Sequence, residues 1–321
     1  MTKILHTTDE EQKKFHETRM KRFRILVCID GSDESYNSLR YAAKIGRGQD
    51  ADILLLYIRP IDHEMYSEEI QLSVENENML RWKVEIPGIK YLEKGRDILI
   101  ELGHMSKDWE ETASHTDVKK DLMGDNKIEY RNESGKSIVL KLKTAPDIAS
   151  GILDQYELGP YNLIILGASG RWRGLAKSFW DPAVAEKVAI HAPCSVLVAR
   201  EIEIGHGHLI CTDGSDLSLE MVRKDAVMAD RCGCSISLMS VAMDEESEAD
   251  AHAAVNKAEE ALKEMNIKVA EKIVRVGNPV EEIIEAGPDY SLIVVSGSAK
   301  SGLRRFFMGS VSFKVMEKAY N

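Results

Sequence analysis

Two stretches of the chain decide its fold: Arg24-Ile25-Leu26-Val27-Cys28-Ile29-Asp30-Gly31-Ser32 and Gly207-His208-Leu209-Ile210-Cys211-Thr212-Asp213-Gly214-Ser215. Each is an apolar run too short for a helix, closed by Asp-Gly-Ser and followed by an aspartate and a helical pattern. Cys28 matches Cys211, and Asp30 matches Asp213. Ser32 or Asp33 in one copy, and Ser215 or Asp216 in the other, offer a side-chain oxygen to the unpaired N–H groups of the helix that follows. The predicted unit is a strand, a tight turn and a helix, and it occurs twice.

Outward from these stretches the order of elements also repeats. A second strand follows in each half, Asp52 to Ile58 and Ser235 to Val241, apolar enough to be buried on both faces as in a βαβ unit. A later run, Leu163-Ile164-Ile165-Leu166, leads into Gly167-Ala168-Ser169-Gly170, and its counterpart Leu292-Ile293-Val294-Val295 leads into Ser296-Gly297-Ser298-Ala299. Between these points the second half is compact, with a helix over about 248–265, a strand over about 267–276 and a helix over about 279–286. The first half holds an insertion over about 62–125 with a helix near Ile89 to Leu102, and then a hairpin from Lys127 to Lys143 around Asn132-Glu133-Ser134-Gly135. The halves end differently too. Ala192-Pro193-Cys194-Ser195-Val196-Leu197-Val198-Ala199-Arg200 gives the first a last buried strand, whereas the second stops after a helix containing Val311 to Lys318 and lacks that strand.

Composition narrows the class. A length of 321 residues exceeds one ordinary core, and 44% hydrophobic with 30% charged residues is a globular balance. The expected division is an amino-terminal extension over 1–23, a first α/β domain over 24–200 and a second over 206–321. The net charge of -11 opposes nucleic acid and anionic membranes as partners. Met1 to Phe23 is charged throughout, without the apolar core of a secretory signal, and no run reaches membrane-spanning length. With five cysteines in strand-like positions, a disulfide framework is not expected, and a reducing cytoplasm is.

Asp-Gly-Ser after the first strand, Leu-Ile-Ile-Leu-Gly-Ala-Ser-Gly at the fourth and His-Ala-Pro-Cys-Ser-Val-Leu-Val at the fifth together resemble a universal stress protein domain, here in tandem. The resemblance implies an α/β fold, a five-stranded parallel sheet flanked by helices in each domain. In ATP-binding members the first-strand aspartate lies near the nucleotide, and a loop of form G-x-x-G, nine residues, G-S or G-T holds ribose and phosphates. Glycines let backbone N–H groups approach phosphate, and a helix N-terminus adds its dipole. The ligand then lies at the carboxyl ends of the strands, near the switch point.

That loop motif is split between the halves. The first keeps Gly167 and Gly170, but nine residues later come Trp180 and Asp181, or Pro182 and Ala183 on the alternative alignment; a carboxylate repels phosphate and proline lacks a donor. The second has Ser296 and Ala299 at the glycine positions around Gly297, and then an intact Gly309-Ser310-Val311, with Lys300, Arg304 and Arg305 between. The resemblance therefore implies an adenine nucleotide, ATP or AMP with any magnesium arriving on it, in the second domain through Asp213, Ser296, Gly297, Ala299, Gly309, Ser310 and Val311. Asp30, Gly167 and Gly170 are the weaker set.

Plainer readings compete. Asp30 and Asp213 also suit simple turns, and paired arginines on a loop are usually only solvated. Cys232-Gly233-Cys234 with His206 and His208 nearby has no standard zinc spacing, and Gly233 sits where a helix ends, so no metal is expected; Cys28 and Cys211 read as core thiols. No nucleophile–base pair, Walker loop or nucleophile elbow stands out. The expectation is a non-catalytic stress-response regulator. Its rivals are a nucleotide-independent scaffold that uses the insertion as its recognition surface, and a slow nucleotide hydrolase. The last strand of the first half, residues 194–199, is expected to pair with Lys3 to Thr7 or with its own copy in a homodimer.

Overall fold

β1 (Phe23–Cys28) leaves the Asp-Gly-Ser turn to α1 (Asp33–Gly46) and β2 (Ala51–Pro60), as the first quoted stretch predicts. The computed structural model describes residues 21–46, 51–61, 87–118, 121–167, 182–199, 205–296 and 311–319. The chain divides into two compact units, one formed by Met1–Gly167 with Lys187–Leu197 and the other by Ala168–Glu186 with Val198–Asn321.

In the first unit α2 (Pro87–Glu101) follows β2, then β3 (Glu110–Val118), β4 (Asp121–Arg131), β5 (Ser137–Ala145), α3 (Ile148–Leu153) and β6 (Leu163–Gly167); α4 (Pro182–His191) and β7 (Ser195–Ala199), each divided between the two units, come after. The sheet order is β3-β4-β5-β2-β1-β6-β7. β1 runs parallel to β2 and β6, and β2 runs parallel to β5. The apolar runs explain the buried middle of this sheet: Ile25, Leu26, Val27, Ile53, Leu54 and Leu55 have no exposed surface, each such side chain contributing about 1.5–3 kcal/mol of burial. β4 and β5 form the hairpin expected around Asn132 to Gly135, and β3 adds one more antiparallel strand. β3 is almost wholly exposed and carries Glu110, Glu111 and Asp117, charges that discourage pairing at a sheet edge.

The second unit contains β8 (His208–Cys211), α5 (Asp216–Cys232), β9 (Ile236–Ala242), α6 (Glu248–Lys263), β10 (Val269–Val276), α7 (Pro279–Ala286), β11 (Leu292–Val294) and α8 (Val311–Lys318). Its sheet, β10-β9-β8-β11, is parallel throughout. Alternate residues face opposite ways along a strand, and both faces are covered. Ile210 and Leu238 pack with Val222 of α5 and Val255 and Leu262 of α6. Leu209, Cys211 and Met239 pack with Ile283 of α7 and Val315 of α8 on the other side. That is why these strands read as continuous apolar runs. Among the described residues no strand follows α8.

One boundary shifts in meaning. α2 stands between β2 and β5 as α6 stands between β9 and β10, so the helix expected inside the insertion occupies a repeated position. Besides β7, the strands of the first sheet without a counterpart among the described residues of the second are β3 and β4.

Candidate functional site

β1 and β8 end in the same turn. In the first unit an Asp30 carboxylate oxygen accepts from the Ser32 amide at 2.9 Å and the Ser32 hydroxyl at 2.5 Å. In the second, Asp213 accepts from the Ser215 amide at 3.0 Å and its hydroxyl at 2.6 Å. The serines, rather than Asp33 or Asp216, then cap the helices: Ser32 Oγ accepts from the Ser35 amide at 3.1 Å, and Ser215 Oγ from the Ser218 amide at 3.3 Å. Gly31 and Gly214 sit at φ +89° and +75°, angles that glycine alone adopts freely. Burial opposes ionisation of Asp213, but its hydrogen bonds from Ser215 and Ser218 prevail and hold the carboxyl below its usual range. It is an ionised, acceptor-only group at the carboxyl edge of the sheet.

β8 lies between β9 and β11, with Leu292 opposite His208 and Val294 opposite Ile210. This parallel register puts the end of β11 beside the end of β8, at the topological switch point where open α/β sheets bind ligands. Ser296 follows β11, and its carbonyl accepts the Ser312 hydroxyl of α8. The first residue of α8, Val311, is thereby held near the end of β11. Gly297, Ala299, Gly309 and Ser310, with Lys300, Arg304 and Arg305, lie outside the described residues, as do Gly170, Trp180 and Asp181 in the first half.

Gly167 ends β6 against the start of α1. A Cβ there would stand 2.8 Å from Ser35 Cα and 2.9 Å from its nitrogen. Close packing alone thus requires glycine at this position. Pro182 is the first residue of α4, so that helix start lacks one N–H donor.

The sequence profile of the universal stress protein family matches residues 21–83, 100–200 and 208–320, both Asp-Gly-Ser turns included. The chain belongs to the universal stress protein family. A protein named as a universal stress protein in Staphylococcus haemolyticus is 30% identical over 182 residues, 56% of this chain and 86% of that one. The crystal structure of one so named from Pseudomonas aeruginosa matches with a TM-score of 0.59 at 15% identity, over 94% of this chain and 92% of that one. A universal stress protein from Archaeoglobus fulgidus gives 0.51 at 15% identity, over 91% and 94%. At such identities the likeness is one of fold. No helix among the described residues is long and apolar enough to cross a membrane.

In this universal stress protein the surroundings of the two aspartates differ. Tyr91 of α2 lies over the first turn, where a Cβ on Gly31 would meet its ring at 2.6 Å, and Tyr57 of β2 stands 5.9 Å from Tyr91 between ring centroids. In the second unit Ala254 takes the place against Gly214, and the Lys257 ammonium of α6 donates to the Gly214 carbonyl at 3.0 Å. Sequence reasoning singled out neither Tyr91 nor Lys257, since nothing in local spacing announces which helix residue will meet a turn.

A second polar cluster occupies the opposite end of β8. His208, without exposed surface, shares a 3.0 Å hydrogen bond between Nδ1 and Asp225 Oδ2 of α5, also buried. Its Nε2 faces Cys232 Sγ at 3.8 Å. Gly233 caps α5 at φ 63°, turning the chain so that Cys234 comes back toward the same imidazole. The ligand atoms of His208, Cys232 and Cys234 all lie within 4.8 Å of one another. Burial disfavours a charged imidazole, but Asp225 and Cys234 outweigh it and raise His208 to about 9. His206 stays apart, its amide donating to Ser291 Oγ at 3.0 Å. Cys28 and Cys211 are different: burial pushes the Cys28 thiol far up and Cys211 to about 12, as inert core thiols require.

Proposed function

We propose that this universal stress protein is a non-catalytic regulator whose second unit binds an adenine nucleotide, ATP or AMP, at the carboxyl edge of β8 and β11. Occupancy is then relayed to a protein partner. The observation that carries the reading is the hydrogen bond from Ser312 to the Ser296 carbonyl. It ties the beginning of α8 to the end of β11, so that a helix N-terminus, favourable to phosphate, stands at the edge where the Asp213 carboxylate ends β8. An ionised acceptor suits ribose hydroxyls or the adenine amine.

Asp213, Ser296, Gly297, Ala299, Gly309, Ser310 and Val311 would hold the ligand, and magnesium would enter only with its phosphates. The first half of the sequence is the poorer candidate, because Gly167 is accounted for by Ser35 and Pro182 withholds a donor. Native purification followed by mass spectrometry of any co-eluting nucleotide tests the proposal. An adenine nucleotide near one equivalent supports it. A nucleotide-free protein with no affinity for ATP or AMP would leave a scaffold that recognises partners through the insertion.

A further inference from the structure

We propose that His208, Cys232 and Cys234 bind a zinc ion at the amino end of β8, with Asp225 as the positioning residue for the imidazole. The distances already suit a shared ion. Zinc bonds of ~2.3 Å to sulfur and ~2.0–2.1 Å to nitrogen, at angles between tetrahedral and trigonal, set the two ligand atoms roughly 3.6–3.8 Å apart. His208 Nε2 and Cys232 Sγ are 3.8 Å apart. The Nδ1 bond to Asp225 points Nε2 at the two sulfurs, the carboxylate–histidine arrangement that orients an imidazole toward a metal. Two thiols converging on one ring nitrogen exceed what a nucleophile and its base require.

The repeat supplies an internal control. Aligned on the Asp-Gly-Ser turns, His208 corresponds to Ile25 and Asp225 to Ala42, both buried apolar residues of the first unit. The fold therefore fills these two positions without a polar group. Burying an ion pair in place of apolar side chains seldom adds stability, and Asp225 Oδ1 is buried without a hydrogen-bond partner among the described residues. The polar pair accompanies Cys232 and Cys234 and occurs only in the copy that has them.

Charge and access agree with the same ion. Two thiolates neutralise a divalent cation, which a buried site needs. Binding sends both thiol protons and the Nε2 proton of the imidazolium to solvent and leaves Nδ1–H on Asp225. Cys234 is only partly buried, so its side offers an entry path and room for a fourth ligand.

The test uses the full chain, reduced and stripped of metal, titrated with zinc against a chromophoric chelator and, separately, with cobalt(II) as a spectroscopic probe. One equivalent of zinc should bind, and cobalt should give a near-ultraviolet thiolate-to-metal band. Cys232→Ser and Cys234→Ser should each abolish that band, and Asp225→Ala should weaken zinc binding about 10–100-fold. The double variant His208→Ile/Asp225→Ala carries the residues of the first unit; it should keep native amide protection in β8 while losing the site. A missing cobalt band, or unchanged zinc affinity in Cys232→Ser/Cys234→Ser, would overturn the site. Unchanged affinity in Asp225→Ala would overturn its positioning role.

Discussion

The buried His208–Asp225 pair can be dissected by exchanging it for the residues at the same places in the first unit. Asp225→Ala leaves a fully buried imidazole without the carboxylate that bonds it at 3.0 Å, and breaking one partner of a buried pair costs about 3–5 kcal/mol. His208→Ile leaves a carboxylate that already has one buried oxygen without a partner among the described residues, so its cost falls in the same range of about 3–5 kcal/mol. The double change restores an Ile–Ala pair like Ile25 and Ala42 and should fall near wild type or somewhat above it. The predicted result is strong non-additivity, with a coupling of at least about 3 kcal/mol. Denaturant unfolding of the metal-free, reduced chain gives the three values. Amide exchange in β8 and α5 reads the second unit by itself, because two units need not unfold together. A double variant as unstable as the sum of its parts would refute the reasoning.

Three further outcomes follow from packing and edges. Gly167→Ala should destabilise the first unit by about 1–3 kcal/mol with no ligand present, since the added methyl meets the Ser35 backbone; an unchanged unfolding midpoint would contradict the packing account of that glycine. Val196→Pro removes a ladder donor from β7, an edge strand among the described residues. If β7 pairs across a twofold axis, light scattering should show a dimer that becomes monomeric in this variant, whereas a monomeric wild type at micromolar concentration would rule out that dimer. With Cys211 raised to about 12 by burial, and Cys28 also pushed up, neither should be alkylated by iodoacetamide near pH 8 in the folded protein, and mass mapping of labelled peptides checks this.

Much of the fold was legible because each apolar run is short, bounded by a turn and duplicated. The strand–turn–helix unit, the hairpin at Asn132 to Gly135 and the helices near 248 and 279 all follow from pattern and punctuation. β3 was not legible. Glu110 to Val118 lies exposed at a sheet edge, so it lacks the apolar alternation that marks a half-buried strand. The helix α2 was assigned to the insertion because the long segment before it hid its equivalence with α6.

Of the site, Asp30 and Asp213 were correctly located at strand ends, but their hydrogen bonds to Ser32 and Ser215 are three-dimensional facts. Gly167 looked like part of a phosphate loop, and contact with Ser35 accounts for it. Cys232, Cys234 and His208 were weighed in the sequence as a zinc set and set aside for want of a standard spacing, and Asp225 went unremarked because it comes from a helix interior. One signal was present: Asp225 falls in the apolar phase of α5, three residues after Val222 and four before Ala229. A charged residue in a core phase calls for a buried partner.

The most direct test of the nucleotide proposal is calorimetric titration of the intact chain with ATP and AMP beside the double variant Gly309→Val/Ser310→Ala. The wild type should bind one equivalent. Loss of a hydrogen bond to a charged phosphate is worth about 1.5–3 kcal/mol, and valine blocks backbone approach as well, so binding in the double variant should disappear. Equal affinity in the two proteins, or none in either, would contradict the assignment of the second unit as the nucleotide site.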